Sequence, residues 1–191
     1  SLIEQCVLGM NNPNRIMDVS YKESVRFFSC VLLAMVELDG ILYRDEMILG
    51  PMSVNDNSEK EFSNMIGYIK TLRKTKSEKK LLDDLNKLAK SQTDNKKEGM
   101  TVVSVRNCTR FPISVLKYCG WIESVRCRIY GKSMVFMKLT AHGEETAKKL
   151  KTYKDIRLDD YDELSENQRR ALIRLGTYSM LSRAKFETNE V

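Results

Sequence analysis

Between Arg106 and Lys132 the chain carries six basic residues, Arg106, Arg110, Lys117, Arg126, Arg128 and Lys132, against a single acid, Glu123. Cations at this density suit a polyanion. Their spacing suits one polyanion in particular. Arg106, Asn107 and Arg110 crowd the turn before, and the first turn of, a helical apolar pattern through Phe111, Val115, Leu116 and Cys119. Arginine offers a bidentate fork to the edge of guanine, and asparagine a matching pair to adenine. A helix in the major groove reads bases from its N-terminal turn. The same pattern turns Arg110, Ser114 and Lys117 away from the apolar stripe. Arg126, Arg128, Tyr130, Lys132 and Ser133 fall on the segment that follows, where contacts to phosphate set affinity rather than sequence choice. These ten residues are the candidate site for double-stranded DNA, with an ordinary solvated surface as the alternative at each position.

The elements that would hold them read as a helix, a turn, a second helix, a hairpin and a third helix between Met100 and Leu150. Val102, Val103 and Val105 open the stretch as a short strand or helix. Pro112 fits a helical first turn, where its missing N–H costs nothing, and Gly120 ends that helix. Trp121 to Tyr130 alternates apolar with polar or basic residues; Trp121 is expected in the core. Gly131-Lys132 marks a hairpin turn, and Met134 to Leu139 returns as a strand. Thr140 then caps a helix to about Tyr153, with Gly143 weakening its first turn and His142 exposed on it. This order predicts a winged helix-turn-helix.

Upstream, residues 1–20 are ambiguous, with LIEQCVLGM closing a helix and Asn11 to Arg15 forming a turn around Pro13. Residues 22–38 predict a strong helix, with Ser20 and Glu23 as a capping box and Val25, Phe28, Leu32, Met35 and Val36 as its stripe. A short apolar step leads to a brief helix from about Arg44 to Leu49, stopped by Gly50-Pro51. A further helix over 59–74 carries Phe62, Met65, Ile66, Ile69 and Leu72 on one face. These predict a first winged-helix-like unit over 1–75, without a convincing wing. Residues 76–98 predict a charged, solvated connecting helix lying across two domains, with Leu81, Leu82, Leu85 and Leu88 as a narrow stripe, and a joint at SQTDNKKEG. The second unit spans 99–154. An acidic linker at 154–164 and a helix opening at Ser165 complete 155–191, which could begin a third unit. The fold class is thus mainly α with small β-hairpins, an α+β chain of tandem winged-helix subdomains.

The net charge is +6 over 191 residues, and 42% of these are hydrophobic. No apolar run approaches the length of a membrane span, so no membrane partner is expected. SLIEQCVLGM has no basic leader. Starting at Ser1, the chain fits a piece excised from a longer protein. Five cysteines and one histidine, without a CxxC pair, predict free thiols in a reducing compartment and no structural metal. Glu78-Lys79-Lys80 and Asp94-Asn95-Lys96 match the D/E-x-K part of a metal-dependent nuclease motif, but neither follows a β-type apolar run. No phosphate loop, dinucleotide fingerprint, zinc-protease or serine-hydrolase motif occurs. No catalytic residue, cofactor or metal ligand is therefore assigned.

Two segments carry a resemblance. VLLAMVELDGILYRDEMILG, with the EFSNMIGYIKTLRK helix after it, and SVRNCTRFPISVLKYCGWIE, with the hairpin and KLTAHGEETAKKL after it, resemble the DNA-recognition region of type IIS restriction endonucleases of the FokI and AlwI kind, including the large subunits of related nicking enzymes. The resemblance spans roughly residues 16–152. It implies winged-helix subdomains that read an asymmetric site in a prokaryotic cytoplasm, with readout on Arg106, Asn107 and Arg110. It also implies a separate PD-(D/E)xK domain that needs Mg²⁺ and cuts at a distance; no such motif occurs in this chain. A tandem winged-helix transcription regulator or replication initiator is the second expectation, and a winged-helix protein-interaction module the third. The target sequence and the oligomeric state, a monomer among the options, are left open.

Overall fold

A computed structural model describes residues 2–9, 25–55, 57–91 and 99–150. The expected cap at Ser20, the turn at Asn11 to Arg15, the joint after Ser91 and the linker and helix beyond Leu150 lie outside the described residues. The described chain is mainly helical with one small antiparallel sheet. Its centre is α2 (Phe27–Glu37), buried at Phe27, Phe28, Ser29, Cys30, Val31, Leu32, Ala34 and Met35. A helix apolar on most of its circumference has to sit inside a shell of other elements. The shell around α2 includes α1 (Leu2–Gly9), tied on by the Ser29 hydroxyl donating to the Leu8 carbonyl at 2.7 Å. Asp39 and Gly40 then turn the chain sharply, both in the left-handed region at φ 61° and 76°.

The turn delivers β1 (Ile41–Tyr43), which the sequence presents only as an apolar step. It leads directly into α3 (Arg44–Leu49), then α4 (Glu59–Lys74) and α5 (Glu78–Ser91). Ser58 caps α4 by accepting from the Glu61 amide at 3.2 Å. The predicted second half follows closely. α6 (Val102–Asn107) is capped by Thr101, and α7 (Arg110–Tyr118) ends at Gly120, φ 69°. β2 (Ile122–Cys127) and β3 (Met134–Leu139) form the hairpin, and α8 (Ala141–Leu150) closes the described chain. Gly143 has a reason to be glycine: a Cβ there would run into the Trp121 carbonyl oxygen. α8 therefore lies flush on the start of β2, over the buried Trp121.

The sheet order is β1-β3-β2, with Leu42 opposite Met137 and Ser124 opposite that same Met137. The first half of the chain thus lends a strand to the hairpin of the second. The two units expected over 1–75 and 99–154 share one sheet, and one apolar core runs from Val7 to Ala147. Alternation along the strands gives the sheet two covered faces. Leu42, Ile122, Met137 and Leu139 join the main core with α2 and α7, whereas Met134, Phe136 and Tyr130 form a second cluster with Leu72 of α4 and Leu81 of α5.

That second cluster changes the role of α5. Residues 76–98 are expected to include a solvated connector, yet Leu81, Leu85 and Ala89 are buried, Leu85 and Ala89 in the main core. α5 packs on α3 and α6. Lys79, Lys80, Asp83, Lys87 and Lys90 lie on its exposed side, whereas Glu78 falls in line with Leu81 and Leu85 and is only part-exposed. No helix among the described residues is long and apolar enough to cross a membrane.

Leu85→Ala is expected to cost about 2–5 kcal/mol in chemical denaturation, as for other fully buried leucines, while Lys87→Ala on the exposed face changes stability by no more than about 0.5 kcal/mol. Equally small effects at both positions would mean that α5 is solvated after all.

Candidate nucleic-acid interface

α7 presents its exposed residues along one line. Arg110, Ser114, Lys117 and Tyr118 are all exposed, while Pro112 and Leu116 are buried behind them. Spacings of four, seven and eight residues place these exposed four on a single helical face. Ser114 Oγ donates to the Arg110 carbonyl at 2.9 Å, which turns the hydroxyl back along the helix. On α6, Asn107 is exposed just ahead of this face.

Across from α7 stands the hairpin. Arg126, Arg128, Lys132 and Ser133 are exposed on it, and Arg126 pairs with the half-exposed Val135 on the sheet face that looks toward α7. Between helix and hairpin runs an open groove of about 440 Å³, lined by Ile113 and Lys117 from α7, by Ser124 from β2 and by Lys132 to Met137 from the turn and β3. Tyr43 and Arg44 complete its wall. Arg44 lies far from the other basic residues in sequence and carries no local signal. It arrives because β1 pairs with β3 and hands the chain to α3 at the groove edge. Its Nε lies 3.6 Å from Asp45 Oδ1.

Two of the ten expected contact residues are engaged elsewhere. Arg106 donates from Nε and Nη2 to the two oxygens of Asp45, at 2.9 and 2.5 Å, in a fork-to-fork pair. Asp45 is completely buried, and the bonds to it hold the Arg106 guanidinium above its ordinary pKa. Its fork is already filled by a carboxylate, so Arg106 does not stand free to read a guanine. Tyr130, expected on the outside of the wing, is only 2% exposed, and its hydroxyl donates to Glu46 Oε1 at 2.6 Å. Burial, followed by the Glu46 charge, pushes the phenol well above its usual pKa, which keeps it a donor.

Glu46 is a hub of the interior. It accepts from the Tyr43 amide at 2.8 Å, closing half of a capping box on α3. It also accepts from Arg73 Nε and Nη2, both at 2.8 Å, besides the Tyr130 hydroxyl. Four donors fill the roughly four lone-pair directions of a carboxylate. Arg73 spends its remaining reach on the carbonyls of Leu38 and Ile41, at 3.1 and 2.8 Å. Lys132 is partly engaged, with Nζ 2.5 Å from Glu78 Oε1, but this pair is open to solvent. His142 lies away from the groove, 2.7 Å from Glu4 Oε1.

The groove is therefore walled by Arg44, Lys117 and Lys132, with Arg110, Arg126 and Arg128 on the flanking surfaces. Asn107, Ser114 and Ser133 add neutral donors and acceptors. Such a surface can hold a polyanion and hydrogen-bond to its edges; its described residues include no paired carboxylates and no nucleophile set against a base. Comparisons with known protein families, with curated proteins and with solved structures found no match.

Arg106→Ala removes both hydrogen bonds to the buried Asp45 carboxylate, leaving only Arg44 Nε at 3.6 Å, and is expected to destabilise the fold by about 3–5 kcal/mol, seen as a lowered Tm. Arg110→Ala leaves Tm within experimental scatter. A variant of Arg106 that melts like the parent would return this residue to the free surface.

Proposed function

We propose that residues 25–150 form a winged-helix module that binds double-stranded DNA, with α7 in the major groove and the β2–β3 hairpin against the phosphates. One observation carries this reading: the exposed line Arg110, Ser114, Lys117 of α7 and the basic hairpin flank a single groove, to which Arg44 adds a further cation. The topology supports it. A strand between the first helices pairs with the far strand of the hairpin, in the order β1-β3-β2, and braces the hairpin beside the helix that precedes it. An α-helix has the width to enter the major groove, and a basic hairpin next to it meets the backbone.

The contacts divide by chemistry. Arg110 and Asn107, at the N-terminal end of α7 and just before it, reach base edges. Ser114 and Lys117 follow along the same face. Arg126, Arg128, Lys132, Ser133 and Arg44 neutralise or hydrogen-bond phosphates. Arg106 and Tyr130 act one layer behind, by fixing the elements that carry the others. Within this reading, the sequence resemblance makes the chain the DNA-recognition part of a type IIS-like restriction endonuclease of a prokaryotic cytoplasm, with hydrolysis assigned to a separate Mg²⁺-dependent domain.

The test is selection of the full 191-residue chain against a random duplex pool, followed by titration over a range of salt. The expected outcome is binding that weakens steeply with salt and prefers one asymmetric site. Arg110→Ala with Lys117→Ala should lower affinity for that site by about tenfold or more, in line with about 1–3 kcal/mol per lost base contact. Absence of salt-sensitive binding to any duplex, or a double variant indistinguishable from the parent, overturns the reading. A palindromic site bound by a dimer would favour a regulator, and strand scission by this chain with Mg²⁺ would refute the division of labour.

A further inference from the structure

The turn between α4 and α5 has an unusual residue at its apex. Lys76 adopts φ 51°, in the left-handed region that glycine enters without steric cost. The turn is otherwise well made: Thr75 Oγ1 donates to the Leu72 carbonyl at 2.7 Å, and Ser77 Oγ accepts the Lys80 amide at 3.2 Å to start α5. A lysine kept where glycine is easier suggests a use for its side chain. Lys76 and Lys79 are exposed, and neither has a carboxylate partner among the described residues; the neighbouring Lys80, by contrast, is paired with Asp84.

The position of this turn supplies the use. Leu72 and Leu81 on its two sides pack under Tyr130 and Phe136, and the Lys76 carbonyl lies 3.6 Å from where a Cβ of Gly131 would be, at the tip of the hairpin. The acid of the turn, Glu78, takes the wing-tip Lys132 as its partner. On its other side α5 packs on α6, close enough for the Glu78 charge to act on Arg106. The first turn of α5 thus fills the angle between the helix that leads into α7 and the tip of the wing.

We propose that the α4–α5 turn is a third phosphate-binding element, in which Lys76 and Lys79 grip the backbone of the duplex beside the wing. The inference rests on the DNA-binding reading above. Contacts of this kind carry affinity without sequence information. Their loss weakens binding to every duplex alike and removes two ions from the counterion balance.

The experiment uses the full chain with Lys76→Gly and Lys79→Gln combined. Glycine suits the left-handed apex, so Tm should stay at or above that of the parent; Lys76→Asn with Lys79→Gln serves as a second version, since asparagine also tolerates this conformation. The slope of log Kobs against log salt is expected to become shallower by about 1.8, at about 0.9 per phosphate contact. The preference among duplex sequences should be unchanged. An unchanged slope in both versions, while Arg110→Ala with Lys117→Ala weakens binding, overturns the role of the turn and leaves the DNA-binding reading standing. A parent chain that binds no duplex overturns both.

Discussion

Two adjacent carboxylates at the start of α3 set the terms for the rest of the molecule. Asp45 and Glu46 are both fully buried, and an isolated ionised carboxylate in an apolar interior is very unfavourable. Each is matched by an arginine from a distant part of the chain, Asp45 by Arg106 of α6 and Glu46 by Arg73 of α4. Both pairs use the planar fork geometry that makes arginine the better partner for a carboxylate. Pairs of this sort add little net stability compared with a well-packed apolar substitute. What they add here is position. α3 is six residues long, too short to hold itself, and the two arginines fix it against the helices on either side.

The same constraint reaches the groove. Glu46 binds the amide that ends β1, the guanidinium of α4 and the phenol at the hairpin tip, so one carboxylate ties strand, helix and hairpin together. Asp45 ties the helix that leads into α7. The placement of α7 relative to the hairpin is therefore fixed by contacts within the chain. A surface held in this way loses less conformational freedom on binding than one ordered by its partner. The network explains why so basic a surface can surround a pair of buried acids: the acids are neutralised locally by Arg73 and Arg106, and Arg110, Lys117, Arg126 and Arg128 stay exposed at the surface.

Local signals in the sequence locate most of the elements. Caps, helical periodicity and glycine turns mark α4, α7, the hairpin and α8, because each of these is decided by residues within a few positions of one another. β1 escapes because it is three residues long and becomes a strand only by pairing with β3, almost a hundred positions on. With β1 unread, the two halves of the chain look like separate units, and α5 looks like a bridge between them. Its leucines are visible, but the surface they cover, Tyr130 and Phe136 of the hairpin among it, is remote in sequence. Arg73 does carry a usable signal. It falls four residues after Ile69 on the buried stripe of α4, and an arginine on such a stripe implies a buried acid. Arg106 stands in the same relation to Val102. Two acids inside a short apolar helix and two arginines on apolar faces form a matching set that the residue pattern alone contains.

Counting cations along a stretch is thus a poor guide to which of them face a ligand. Arg106 and Arg110 are four residues apart and identical in chemistry, and the difference between them is the presence of one buried carboxylate. Asp45 draws Arg106 inward, which leaves the next turn, with Arg110 at its head, as the first exposed cation on the helix face. The exchange also works in the other direction. Pairing of β1 with β3 brings Arg44 to the groove from the far half of the chain, so the surface regains a charge that no linear window would count. The basic character of the groove is a property of the sheet order and of the two buried acids together, and either one alone would give a different distribution of the same residues.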